Sequence, residues 1–127
     1  MSGETILVIE DNVSNLKLVR ALLLSANYEV HTAEDAEEAQ IKLITIHPQL
    51  ILMDIQLPSM DGLALTRLLK ANPTTRSILI VALTAYAMKG DQQKALDAGC
   101  DAYIAKPIER IPFLSNIRRY LDAIPAK

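Results

Sequence analysis

Polar side chains follow four apolar runs of this 127-residue chain, at the point where each run ends. Residues 6–9 lead into Glu10-Asp11-Asn12, residues 50–53 end on Asp54, residues 78–83 lead to Thr84-Ala85, and residues 102–105 lead to Lys106-Pro107. A buried carboxylate without a partner is unstable, because desolvation penalises its charge. Asp54 must therefore face a solvated cleft or a cation.

Three carboxylates, a hydroxyl and an amine are the groups that phosphoryl transfer uses. Oxygen ligands without histidine or cysteine suit a hard cation, and Mg²⁺ is the cation that we expect. In such a site one carboxylate attacks as the nucleophile. The metal and the ammonium neutralise charge on the transferred group, and the hydroxyl and a backbone N–H can hold its remaining oxygen.

Five apolar, β-branched-rich runs predict the strands that position these groups. They are residues 6–9, 28–32, 50–53, 78–83 and 102–105, and segments with helical spacing lie between them. Alternation of this kind requires crossover connections and a parallel sheet with helices on both faces. Ligands bind such sheets at the carboxyl ends of the strands, where the polar side chains stand. The alternating run 28–32 predicts an edge strand.

Apolar stripes predict the helix faces that pack on the sheet. The stripes contain Leu16, Val19 and Leu23; Ala39, Leu43 and Ile46; Leu65, Leu68 and Leu69; and Phe113, Ile117, Tyr120, Leu121 and Ile124. Asp35 and Glu38 predict a helix cap with a reciprocal partner. Asp61 predicts the cap of the third helix, and Gly99 predicts the end of the fourth.

Composition predicts one domain over residues 1–127 in a reducing compartment. The net charge of −2, from 13 basic and 15 acidic residues, argues against a nucleic-acid binder. The only cysteine, Cys100, excludes an internal disulfide, and we interpret it as a small buried residue. We see no signal peptide, and no uncharged apolar stretch reaches the roughly 18 residues of a membrane span. We therefore expect a cytoplasmic protein without a membrane partner.

The chain resembles the response-regulator receiver domains of two-component signalling over essentially its full length. The matching pieces are VIEDN, ILMDIQLPSMDG, VALTAYAMKGD and GCDAYIAKPI, in this order. Within the family they most resemble stand-alone regulators of the DivK type and the receiver modules of hybrid histidine kinases. The resemblance implies a doubly wound α/β fold of the flavodoxin-like type. It has a five-stranded parallel sheet in the order 2-1-3-4-5 and five helices.

The resemblance also implies an acceptor and a metal site. Asp54 would be the phospho-acceptor, giving a 4-aspartylphosphate. Asp11 would ligate Mg²⁺ directly and Glu10 through water, and the main-chain carbonyl of Gln56 would complete the protein ligands. The acidic pair here is Glu10-Asp11 rather than two aspartates.

Three further residues acquire roles through the resemblance. Lys106 would pair with the phosphoryl group, and its bond to Pro107 is expected to be cis. Thr84 would be the switch hydroxyl, with the Ala85 N–H beside it, and Tyr103 would be the aromatic switch residue.

The family's partners are also implied. A histidine kinase or histidine phosphotransferase would donate the phosphoryl group, and the chain would catalyse only its own phosphorylation and dephosphorylation. We expect a monomer that docks the kinase through Val13, Asn15, Leu16 and Lys17 of the first helix. If the chain is the complete protein, no DNA-binding or catalytic segment follows the last helix, and we then expect output through a downstream protein. A module of a hybrid kinase would instead relay phosphate to another histidine.

Three other functions are alternatives to a phosphorylation-dependent switch. A haloacid-dehalogenase-like phosphatase would need a second aspartate where Gln56 stands, and a flavodoxin-like electron carrier would need a phosphate-binding loop where the acidic EDNVSN follows the first strand. The third is a degenerate receiver that only binds partners. The presence of all the pocket residues argues against it. Taken singly, Asp54 is a turn former, Thr84 a strand end, Lys106 a solvated lysine and Tyr103 ordinary packing.

Overall fold

The structure, a computed structural model, describes residues 4–54, 62–84, 89–105 and 108–123. Strands and helices alternate along the chain. The strands are β1 (Thr5–Ile9), β2 (Glu29–Ala33), β3 (Leu50–Asp54), β4 (Leu79–Thr84) and β5 (Ala102–Ala105). The helices are α1 (Val13–Ser25), α2 (Ala36–Lys42), α3 (Gly62–Ala71), α4 (Lys89–Ala98) and α5 (Arg110–Asp122).

The five strands form one parallel sheet in the order β2-β1-β3-β4-β5. This confirms the predicted fold class, including the edge position of β2. Each predicted strand lies within one residue of its observed bounds. Because all the strands run the same way, their carboxyl ends meet at one edge of the sheet.

The sheet separates two hydrophobic cores, and neighbouring strand residues point into different ones. In β1, Leu7 and Ile9 pack with residues of α2, α3 and α4, whereas Ile6 and Val8 pack with residues of α1 and α5. Each fully buried aliphatic side chain of this kind contributes roughly 1.5–3 kcal/mol to stability. The continuous apolar pattern of the central strands therefore reflects burial on both faces.

The predicted ends of α2 and α4 are present. Asp35 Oδ1 accepts a hydrogen bond from the Glu38 N–H at 2.8 Å. The reciprocal bond differs from the expected one, because Glu38 Oε1 accepts from the N–H of Glu34 at 2.8 Å rather than from Asp35. Gly99 follows α4 with a φ of 112°, which an L side chain rarely adopts.

The prediction that Leu68 belongs to the core was wrong. Leu65 and Leu69 are buried, but the side chain of Leu68 is 49% exposed. The buried face of α3 contains Gly62 and Thr66 beside the two leucines, and Leu68 lies to one side of that face. The Thr66 hydroxyl can be buried there because it donates to the Gly62 carbonyl at 2.8 Å.

Two further expectations concern the cysteine and membrane-spanning helices. Cys100 is buried, as expected, and burial raises the pKa of its thiol. In the part of the chain that the structure describes, every helix is too short or too polar to cross a lipid bilayer. The expected helix cap at Asp61 and the apolar residue Ile124 lie outside the described residues.

Candidate metal and phosphoryl site

Glu10 directly follows β1 and is fully buried. Its backbone N–H donates to the Ala33 carbonyl at 3.0 Å, which extends the pairing of β1 with β2 past the end of the strand. Its carboxylate accepts a hydrogen bond from the Asn12 N–H, with 3.4 Å between Oε2 and the nitrogen. The backbone therefore positions this carboxylate at the carboxyl edge of the sheet.

Asp54 ends β3, a strand in which all five residues are buried. Its side chain is only 7% exposed, and in the register of the sheet Asp54 lies opposite Leu83 of β4. The next residue of β4 is Thr84, which pairs with Ala105 of β5. The ends of three neighbouring strands thus meet beside Asp54.

One carboxylate oxygen from each of Glu10, Asp11 and Asp54 lies within 4.8 Å of the other two. Glu10 and Asp54 are buried, whereas Asp11 is exposed to solvent. Three like charges at this spacing repel each other, and a cation between them removes the repulsion. The donors are oxygen atoms of hard anions, so the cluster could hold a hard divalent cation such as Mg²⁺.

The N-terminus of α1 lies beside this cluster. Asn12 caps the helix, because its Oδ1 accepts from the Asn15 N–H at 3.1 Å. Asn12 thus makes two hydrogen bonds: its N–H donates to the Glu10 carboxylate, and its side chain accepts from the first turn of α1. Sequence reasoning gave Asn12 no role, although an asparagine before a periodic apolar segment is a known cap signal.

The residues proposed for docking occupy the exposed start of α1. Val13 is 54% exposed and Lys17 is also exposed, while Asn15 is half-buried. Leu16 is half-buried against the core between the sheet and α1. Two of the four residues, Val13 and Lys17, therefore have exposed side chains.

The structure brings together part of the predicted site. Glu10, Asp11 and Asp54 form one cluster, and Tyr103 of β5 is half-buried against the core under α4. Gln56, Ala85 and Lys106-Pro107 lie outside the described residues, as does the side chain of Thr84. Their predicted roles therefore stay predictions.

A family model and a curated relative assign the chain to the same family. A family model described as the response regulator receiver domain matches residues 6–118. The polar-differentiation response regulator DivK of Brucella ovis is 42% identical over 118 residues, which cover 93% of this chain and 96% of the relative.

Two solved structures are similar over nearly their whole length. A response regulator from Chloroflexus aurantiacus superposes with a TM-score of 0.91 at 28% identity, covering 94% of this chain and 98% of the other. The receiver domain of a sensor histidine kinase from Pseudomonas aeruginosa has a TM-score of 0.88 at 36% identity, covering 95% and 99%. That protein is described with a magnesium ion coordinated in its active-site cleft.

Proposed function

This chain belongs to the response regulator receiver domain family, the phosphorylation-dependent switches of two-component signalling, and we propose that Asp54 is its phospho-acceptor. The observation that carries the proposal is the placement of Asp54 at the end of a fully buried strand, within 4.8 Å of two other carboxylates. A carboxylate fixed by its strand at a charged cleft has the position that a nucleophile requires. The donor would be a phosphohistidine of a histidine kinase or histidine phosphotransferase.

We propose that the same cluster holds Mg²⁺. Glu10, Asp11 and Asp54 would provide carboxylate oxygens, and the Gln56 carbonyl would complete the protein ligands. The oxygen-only donor set and the 4.8 Å spacing support this assignment. So does the magnesium described in the similar Pseudomonas domain. When bound, Mg²⁺ would neutralise negative charge on the phosphoryl oxygens.

The transfer itself would require little proton chemistry. An ionised Asp54 oxygen would attack phosphorus as the phosphorus–nitrogen bond of the donor breaks. The donor imidazole, protonated on its other ring nitrogen, would leave as a neutral ring with the bonding electron pair. The Lys106 ammonium would stabilise the phosphoryl oxygens as a point charge. The Thr84 hydroxyl and the Ala85 N–H would donate to the remaining oxygen. Hydrolysis of the acyl phosphate restores the carboxylate, so the chain acts only on itself.

The buried Glu10 would have a supporting role in this chemistry. Its carboxylate accepts from the Asn12 N–H and therefore has a defined orientation toward the cluster. It would contribute negative charge to the metal site, whereas Asp54, the last residue of β3, would take up the phosphoryl group. The exposed start of α1, with Val13 and Lys17, would contact the phosphoryl donor.

Phosphorylation of Asp54→Asn tests the proposal. The wild-type protein is incubated with acetyl phosphate, with Mg²⁺ or with a chelator, and intact-mass spectrometry measures the added phosphoryl group. We expect labelling of wild type that depends on Mg²⁺, and no labelling of Asp54→Asn. Asp97→Asn, at an exposed carboxylate of α4, is the matched control and should be labelled normally. Full labelling of Asp54→Asn would contradict the assignment.

A further inference from the structure

A cavity of about 390 Å³ opens between α2 and α3, at the edge of the sheet opposite the carboxylate cluster. Leu43 and Ile44 line it from the turn that follows α2, and Leu68 and Leu69 line it from the last turns of α3. The remaining walls come from the segments that lead into β3 and β4, including His47 and Thr75. We call this cavity and its rim the α2–α3 groove.

Hydrogen bonds order one wall of the α2–α3 groove. The Thr75 hydroxyl is buried and donates to the Leu69 carbonyl at 2.6 Å. Asn72 Oδ1 accepts from both the backbone N–H and the hydroxyl of Thr74, at 3.0 and 2.9 Å. A cavity whose wall is already ordered binds without the entropic cost of ordering it.

The rim of the α2–α3 groove is apolar and exposed. The side chain of Ile44 is 76% exposed, that of Ile41 61% and that of Leu68 49%. Ile41 lies three residues before Ile44 in the same turn, since the Ile44 N–H donates to the Ile41 carbonyl. Single exposed apolar residues are ordinary, but Ile44 and Leu68 line one concavity from its two sides, and such an arrangement is typical of a protein-binding surface.

The charge around the α2–α3 groove has a basic excess. Residues 36–53 and 62–77, which include α2, α3 and the segments after them, contain four Lys or Arg residues and two acidic residues, Glu37 and Glu38. Two of the cations are paired, Lys42 with Glu38 and Lys70 with Asp101. Arg67 and Arg76 are exposed and form no ion pair within the described residues. In a chain whose net charge is −2, this end is locally basic.

We propose that the α2–α3 groove binds an acidic amphipathic helix of a partner protein. The apolar face of that helix enters the cavity between Ile44 and Leu68, and its carboxylates face Arg67, next to Leu68, and Arg76, next to Thr75. Helices bind hydrophobic grooves in this way through residues spaced three and four apart. A bilayer surface shares the charge and the apolar character, but it cannot fill a concavity, so the shape favours a protein.

The α2–α3 groove is separate from the phosphoryl site. His47 and Thr75 precede β3 and β4, whereas Glu10 and Asp54 lie at the carboxyl ends of their strands. We therefore expect partner binding here to be the same in wild type and in Asp54→Asn, with or without beryllofluoride. A measurement of binding at the α2–α3 groove therefore tests this proposal separately from the proposed phosphorylation of Asp54.

A labelled synthetic peptide is the probe. It carries leucine at helical spacing on one face and glutamate on the other, and a second peptide replaces each glutamate by lysine. We expect saturable binding of the acidic peptide that weakens with salt, and about tenfold weaker binding of the basic one. Amide chemical shifts should change at residues lining the groove. The absence of saturable binding, or equal binding of both peptides, would overturn the proposal.

Three variants locate the contact. Ile44→Ser with Leu68→Ser removes the apolar rim, and Arg67→Glu with Arg76→Glu reverses the charge; each pair should weaken binding about tenfold or more. Ile111→Ser, on α5 and 77% exposed, is the matched control and should bind normally. Because all these side chains are exposed, thermal unfolding should change little. Equal weakening by Ile111→Ser, or preferential binding of the protein to anionic phosphatidylserine vesicles, would reject the proposed occupant.

Discussion

Arg118 Nη2 donates to Glu4 Oε2 at 2.6 Å and joins α5 to the residue before β1. The two side chains are 33% and 22% exposed, so the pair is only partly solvated. Arg118 also pairs with Asp122 at 2.9 Å, and its guanidinium lies 6.0 Å from the centre of the Tyr28 ring. The hydrogen bond from Arg118 holds the pKa of Glu4 below its usual range.

The lowered pKa of Glu4 predicts a pH-dependent contribution to stability. Because the folded-state pKa lies below the unfolded one, the contribution is complete above the unfolded pKa and is lost as pH falls through the folded pKa. Glu4→Gln should lower the free energy of unfolding by about 1 kcal/mol at pH 7. Its difference from wild type should shrink in acid. Urea denaturation at a series of pH values measures both effects.

The matched control for Glu4 is Glu109→Gln, an exposed glutamate before α5 whose side chain makes no capping hydrogen bond. This change should leave the pH dependence of stability close to that of wild type. A difference between Glu4→Gln and wild type that stays constant from neutral to acid pH would contradict the role of the ion pair.

Gly99→Ala should destabilise the fold by roughly 1–3 kcal/mol. The residue has a φ of 112°, and a Cβ atom added there would lie 3.0 Å from Lys70 Cγ. The substitution therefore combines backbone strain with a contact that Lys70 must relieve. Thermal or urea unfolding measures the loss. Asn27→Ala is a useful comparison, because its φ of 68° is positive but closer to the left-handed helical region; a smaller loss is expected there.

Asp11→Asn should weaken Mg²⁺ binding about tenfold or more, because it removes one of three charges from the cluster. Isothermal titration calorimetry with Mg²⁺ measures the affinity, and circular dichroism verifies the fold. The exposed Asp97→Asn serves as the control for a simple change in net charge. Unchanged affinity in Asp11→Asn would assign the metal to Glu10 and Asp54 instead.

Thr84→Ala should accept the phosphoryl group yet lose most of the switch. Phosphorylation of Asp54 would add charge and acceptor oxygens there, and the hydroxyl of Thr84 is the group expected to move toward them. Such a coupling is typically about 1–3 kcal/mol. We expect beryllofluoride to shift the NMR signals of Tyr103 and α4 in wild type and to shift them much less in Thr84→Ala. Thr74→Ala, on an exposed loop, should respond like wild type.

The local elements could be predicted from the sequence because each has a local cause. The apolar run 50–53 indicates a strand that is buried on both faces, as β3 is. The spacing of Asp35 and Glu38 indicates a helix cap, which the structure contains. The strand order depended on the resemblance, because periodicity does not encode which strands are neighbours. Leu68 was misplaced because its position relative to the packed face of α3 is set by Gly62 and Thr66, which an apolar pattern ignores.

Long-range side-chain pairs could not be predicted. Glu4 and Arg118 are 114 residues apart, and neither belongs to a motif. The α2–α3 groove depends in the same way on how two helices are spaced over the sheet. In the carboxylate cluster, by contrast, the side chains follow strand ends, and parallel strands bring such ends to one edge. The clustering of Glu10, Asp11 and Asp54 was therefore predictable.

The central position of β3 has a consequence for amide hydrogen exchange. Its neighbours β1 and β4 pair with it on both sides, and every residue of β3 is buried. Its amides should exchange only through global unfolding, whereas those of the edge strand β2 can exchange through local opening. Asp54 thus belongs to the strand whose hydrogen bonds we expect to open least often. A phosphoryl group on Asp54 would therefore keep a fixed position while the surrounding loops and side chains rearrange.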